Sequence, residues 1–244
     1  MAYEALNRID FPLDHWLNSH FGKHAAFDAL IGFVSGNGLV SGALLVSVFW
    51  WAWYRHTDPA VRRRDREHVL ATLWAGGLAF FLARLLVLVL PFRTRPRLDP
   101  VLKFILPANW NAGLVTDWNS FPCDVAMMAT ALAVGLCFVS RRIGMVVGLY
   151  VLAVTCFPLI YLGLHYPTDV LAGLIMGAAL GYILNLGVVR MRLAAPLLAW
   201  ETRSAGSYYA SLFLISYEFA TQFTSTRAIL GGLAHALHRV VGAH

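Results

Sequence analysis

The chain has 244 residues, of which 59% are hydrophobic and only 13% charged, with a formal net charge of +6. That balance excludes a water-soluble globular domain of average composition, and several apolar runs exceed the ~18–20 residues that cross a bilayer. The positive charge gives no argument for a nucleic-acid partner, and none is expected, because in a membrane chain the placement of Lys and Arg matters more than their sum.

Residues 1–24 are mixed. Phe11, Leu13, Trp16, Leu17 and Phe21 recur at roughly helical spacing among polar residues, which suits an interfacial amphipathic helix. A solvent-facing cap on the bundle is the alternative. Glu4, Arg8, Asp10 and Asp14 precede any long apolar run, so no cleavable signal peptide is expected.

A first span is expected within 27–54, ending in the interfacial aromatics Phe49, Trp50, Trp51, Trp53 and Tyr54. A basic loop follows, with Arg55, Arg62, Arg63, Arg64 and Arg66. The second span runs over about 69–91 and contains Arg84. The third covers 121–140, the fourth about 143–163 and the fifth about 168–189. The fifth carries Gly173, Gly177 and Gly181 at four-residue spacing, a face that admits a close neighbouring helix. A sixth lies within 205–223 and includes Glu218. The fold expected is an all-α polytopic membrane bundle of about six transmembrane helices. An interfacial segment (1–24) precedes the membrane domain (25–223, motif-bearing part 70–185), and a tail (224–244) follows. Cys123, Cys137 and Cys156 lie in or beside apolar runs, with neither disulfide nor metal-ligand spacing.

The loops after spans one, three and five hold ten of the nineteen Lys and Arg residues, which places them in the cytoplasm by the positive-inside rule. The loop after span two then faces outward, yet it holds Arg93, Arg95, Arg97 and Lys103. Lipid headgroups or a dedicated anion site would each explain four cations on the disfavoured side.

Three segments meet at that outer face: LPFRTRPR (90–97), NSFPCDVA (119–126) and LHYPTD (164–169). The last sets His165 four residues before Asp169, with Pro167 placed for the first turn of a new helix. Locally, a helix cap beside a wetted histidine fits as well as a site does. Together, arginine forks, a helix N-terminus, and a histidine with a carboxylate are what phosphoryl transfer uses.

The order and spacing of these segments resemble the type 2 phosphatidic acid phosphatases, which share a fold with vanadium haloperoxidases. The resemblance covers about residues 70–185. YLGLHYPTDVLAG is similar to the family's third motif throughout. Phe121-Pro122-Cys123-Asp124-Val125 resembles a Phe-Pro-Ser-Asp-His second motif, and Arg95-Pro96, preceded by Arg93, resembles the first. The resemblance implies that His165 is a nucleophile forming a phosphohistidine, that Asp169 orients it, and that Arg95 binds phosphate. Arg93, Arg84, Cys123 and Asp124 are expected around the same phosphate. It implies no metal and no cofactor, and a phospholipid or a polyprenyl phosphate or diphosphate as substrate.

Four family positions are replaced. Leu88 stands where a lysine is expected, Cys123 where a serine, Val125 where the general-acid histidine, and Leu159 where a phosphate-binding arginine. A general acid contributes roughly 10²–10⁴ in rate and one charge-stabilising donor roughly 10²–10³. The expectation is therefore a lipid-phosphate phosphatase of the outer membrane face with impaired catalysis. A diphosphate substrate suffers least, because its leaving group is itself a phosphate. The alternatives are a non-catalytic relative that binds or helps move phosphorylated lipids, and a membrane scaffold.

Overall fold

Asp58 fixes where the longest helix begins. In the computed structural model, which describes residues 3–105 and 119–226, its carboxylate accepts from the backbone N–H groups of Ala60 and Val61, and Pro59 occupies the first helical position. The helices are α1 (Glu4–Asn18), α2 (Ala25–Gly36), α3 (Leu44–Tyr54), α4 (Pro59–Val89), α5 (Asp124–Val139), α6 (Arg141–Tyr150), α7 (Phe157–Tyr161), α8 (Pro167–Leu184), α9 (Gly187–Arg203) and α10 (Ala205–Ala220). Most of the expected basic loop is therefore the opening of α4. Three of its five arginines are held by carboxylates: Arg63 by Glu67 within α4, Arg66 by Glu201 at 2.7 Å, and Arg55 by Asp65 at 2.7 Å.

The chain is an all-α membrane bundle. All six expected spans fall on helices, but they differ in length. Pro59–Val89, Arg141–Tyr161 and Pro167–Leu184 are long and apolar enough to cross a bilayer. The middle one is continuous because a π-helical segment, Val151–Cys156, joins α6 to α7. The expected span 27–54 is a pair of helices bent by 65°. The bend falls at Gly36-Asn37-Gly38, where the Asn37 side chain accepts from Leu39 and Val40 N–H and so starts a new helix. The segment after span five, expected as a loop, is α9, with Pro196 inside it.

Helix α5 is the axis. At sixteen residues it is about 24 Å long, shorter than the hydrocarbon core. Its flanks are covered by α4 and α8, its most extensive neighbours, and twelve of its sixteen residues are buried. The glycine face of α8 lies against it. A Cβ at Gly177 would strike the Met127 carbonyl, and one at Gly173 would come within 2.6 Å of the Cys123 carbonyl. This close approach draws the start of α8 down onto the start of α5, where the second and third motifs meet.

Helix α1 packs with an unusual polarity. Asp10, Asp14 and Asn18, spaced one turn apart, are buried, whereas Ile9, Leu13 and Trp16 are exposed. Its polar stripe faces the motif loops and its apolar stripe faces outward, as an interfacial helix over a polar site requires. Of the tail expected over 224–244, residues 227–244 lie outside the described part.

Candidate active site

The three motif segments are bound together through backbone groups. Ser120 N–H donates to the Arg93 carbonyl at 2.9 Å, Arg97 N–H to Gly163 at 3.0 Å, and Cys123 N–H to Asp169 at 3.2 Å. Asn119 adds side-chain bonds to Arg93 N–H and the Pro91 carbonyl. Gly163, two residues before His165, has φ +62°, a left-handed turn that suits glycine.

His165 sits inside this junction, 4% exposed. Its Nδ1 lies 2.8 Å from the Ser120 carbonyl oxygen. A carbonyl can only accept, so Nδ1 carries the proton and Nε2 keeps its lone pair. Nε2 lies 3.4 Å from Arg95 Nη1, which also donates to the Leu164 carbonyl at 2.9 Å. Burial, reinforced by the Arg95 charge, lowers the imidazole pKa to about 3. The ring is thus neutral at physiological pH with its free nitrogen beside a guanidinium, the state a nucleophile for phosphorus needs.

Asp169, expected to orient His165 directly, does so at one remove. Its nearer oxygen is 3.9 Å from Nδ1, beyond a hydrogen bond. That oxygen accepts instead from Ser120 Oγ at 2.5 Å and from Tyr166 N–H at 3.1 Å. The carboxylate therefore fixes Ser120, whose carbonyl fixes the histidine.

Arg93 does not have the freedom a phosphate ligand needs. Nη1 donates to Thr168 Oγ1 and to Asp169, and Nη2 to Asn7 at 2.9 Å and Asp10 at 2.5 Å. These four bonds use all four Nη hydrogens. The plane lies 4.0 Å from the Tyr166 ring centroid. Asp10 also accepts from Thr168 N–H at 3.0 Å, so α1 is tied to both the first and the third motif.

Arg84 and Asp124 form an ion pair at 2.5 Å. The carboxylate is thereby a counter-ion, which is a better account of it than contact with an anionic phosphate. Arg84 reaches the site from α4, whereas Leu88 is 74% exposed and points away from it. Cys123 is fully buried at the start of α5. Its Sγ accepts from Ala126 N–H at 3.5 Å, and burial pushes its thiol pKa well up, so it is a neutral thiol. Val125 belongs to the main apolar cluster, and Leu159 packs against that cluster. The Leu159 carbonyl accepts from Leu164 and His165 N–H at 2.9 and 3.1 Å, so its backbone shapes the nucleophile loop.

Ligand atoms of Cys123, Asp124 and His165 lie within 4.8 Å of one another, the spacing of a potential metal site. The charges around them argue against a dication. Asp124 is already paired with Arg84, Arg95 borders the imidazole, and the thiol is protonated. This pocket fits an anion better.

A profile of the PAP2 superfamily matches residues 68–192, just over half of the chain. The chain belongs to this superfamily. It is 28% identical over 185 residues to the undecaprenyl-diphosphatase BcrC of Bacillus subtilis (strain 168), covering 75% of this chain and 82% of that one. Among solved structures it is similar to Aquifex aeolicus LpxE, with 24% identity, coverage of 72% of this chain and 93% of that one, and a TM-score of 0.46. As a PAP2 protein it is an integral membrane member of a lipid-phosphate phosphatase family.

Sequence reasoning passed over several residues that the PAP2 site uses. Ser120 lies in the second segment, just before Phe121-Pro122, and it contributes a backbone oxygen that no residue type signals. Asn7 and Asp10 lie in a segment assigned to the interface. The regular Asp10, Asp14, Asn18 stripe was the available signal, since three polar residues one turn apart share a helix face.

Proposed function

We propose that this PAP2 protein hydrolyses lipid-linked diphosphates, and that it does so slowly. The observation that carries the reading is the Nδ1–H of His165 held on the Ser120 carbonyl, which leaves Nε2 unprotonated, with only a long 3.4 Å contact from Arg95 Nη1. In the reaction Nε2 attacks the terminal phosphorus. The N–P bond forms, the P–O bond to the bridging oxygen breaks, and its electron pair leaves with the lipid monophosphate. Water then adds to phosphorus, the N–P bond breaks, dihydrogen phosphate departs and the neutral imidazole is regenerated. Arg95 binds the transferred phosphoryl group, while Arg93, Asp169, Ser120 and Asp10 position the nucleophile.

The replacement of the general acid by Val125 sets the substrate class. An alkoxide leaving group needs a proton, whereas a phosphate monoester, with a second pKa of about 6, leaves without one. The name of the Bacillus relative, an undecaprenyl-diphosphatase, supports the same class. Slow turnover follows from the apolar Val125 and Leu159, and the basic loops, α9 included, support a site on the outer membrane face.

A second reading, a non-catalytic binder of the same lipids, is favoured by the packing of Val125 and Leu159 into one apolar cluster. Phosphate release by the purified protein from farnesyl diphosphate and from dioctanoyl phosphatidic acid, each with His165→Ala as control, separates the two. The proposal expects slow release from the diphosphate alone, lost in the control. No release from either, or release that survives the substitution, overturns it.

A further inference from the structure

Among the described residues two arginines are buried, Arg93 at 4% and Arg97 at 8% exposure, and they differ in one respect. Arg93 is paired with two carboxylates, although its Nε lacks an acceptor among the described residues. Arg97 makes no ion pair, and its Nε and Nη1 are buried without an acceptor. An unpaired buried charge is strongly unfavourable unless something compensates it.

Arg97 is held in place by its backbone. It lies in the 3-10 turn Pro96–Leu98, and its N–H is pinned to Gly163, in the loop that carries His165. Pro96 separates it from Arg95 in the chain, and burial, then the Arg95 charge, lowers the Arg97 pKa. Arg84 has Asp124 and Arg93 has Asp10 and Asp169, but among the described residues Arg95 and Arg97 have no carboxylate within ion-pair distance. Two adjacent cations without counter-ions, one of them 3.4 Å from the nucleophilic nitrogen, match two linked phosphates better than one.

We propose that Arg97 binds the second phosphate of a lipid diphosphate, the one that leaves with the lipid, while Arg95 holds the phosphoryl group facing His165. Charge that develops on the bridging oxygen as the P–O bond breaks is then neutralised by Arg97, which lowers the need for the missing acid at Val125. This makes Arg97 a specificity-determining residue. The inference rests on the reading of the site as one for lipid diphosphates, but it is tested by binding, independently of turnover.

The test measures binding of farnesyl diphosphate and farnesyl monophosphate by calorimetry in detergent micelles, in a His165→Ala background so that nothing is consumed. The parent is expected to prefer the diphosphate. Arg97→Ala is expected to weaken diphosphate binding about ten- to hundredfold and monophosphate binding by less than about threefold, and Arg97→Lys to retain part of the preference. Should Arg97→Ala fail to fold, judged by its thermal melt, Arg97→Gln carries the same comparison. Equal losses for both ligands, or no preference in the parent, overturn the inference. A preserved, Arg97-dependent preference in a protein that hydrolyses nothing sinks the hydrolytic reading alone.

Discussion

Arg93 Nη2 and an Asp10 carboxylate oxygen lie 2.5 Å apart, joining the loop after α4 to a helix more than eighty residues away in sequence. Both side chains are at most 3% exposed, and the same guanidinium reaches Asp169. The N-terminal helix is thus a structural part of the nucleophile's support, and its amphipathic face only half describes it.

Breaking this pair strands a buried charge, which costs about 3–5 kcal/mol. Asp10→Ala and Arg93→Ala are each expected to lower stability on that scale and to abolish farnesyl diphosphate hydrolysis. Arg93→Lys is expected to fail as a rescue, since an ammonium cannot supply the planar fork that meets Asp10, Asn7, Thr168 and Asp169 together. Denaturant melts of the single and double variants should show strong coupling. Additive losses would mean that the contact is incidental.

The pH dependence of the nucleophile should be unlike that of an ordinary histidine. With its pKa lowered to about 3 by burial and then by Arg95, His165 stays neutral from pH 8 down to pH 5. The rate of phosphoenzyme formation in a single turnover should not fall through a His165 ionisation in this range. A loss centred near pH 6.5 that tracks imidazole protonation would show that the ring is solvated.

Asp14 titrates in the opposite sense. Its carboxyl is pushed up to about 8, first by burial and then by the Asp10 charge, and among the described residues neither of its oxygens has a hydrogen-bond partner. The folded protein therefore keeps a proton that the unfolded chain loses near pH 4, so this group's contribution to stability declines as pH rises from about 4 to about 8. Asp14→Asn should melt close to the parent at pH 4 and increasingly above it towards pH 8. A constant difference across that range would contradict the assignment.

The all-α membrane fold, the helical character of the six expected segments and the meeting of three motif segments were legible in the sequence, because apolar length, arginine placement and the His165–Pro167–Asp169 spacing are local signals; that only three of those segments, or four with the bent pair, are long and apolar enough to cross a bilayer was not. The site's inner organisation was not. Asp169 and Arg93 were read by residue type as an orienter and a phosphate ligand, but their partners, Ser120, Asp10 and Thr168, are set by how α1 and α8 dock. The start of α4 was missed because its arginines masked the Asp58-Pro59 helix start, and α9 because Arg190, Arg192 and Pro196 resemble a loop.

Counting back from Arg95 also gives position 88 a role that its geometry does not support. Leu88 points outward, so Leu88→Lys is expected to leave hydrolysis unchanged. The combined Cys123→Ser, Val125→His and Leu159→Arg variant should instead acquire hydrolysis of dioctanoyl phosphatidic acid, by a factor of at least roughly 10² over the parent. A gain from Leu88→Lys with none from the triple variant would reverse this account of the site.

The central claim, that His165 Nε2 is the nucleophile, is tested most directly by trapping the phosphoenzyme. Purified protein mixed with terminally ³²P-labelled farnesyl diphosphate and quenched in alkali should carry label on His165, stable to base and labile to acid, with none on His165→Ala. Phosphate release without any labelled histidine, or label that persists in His165→Ala, would contradict it.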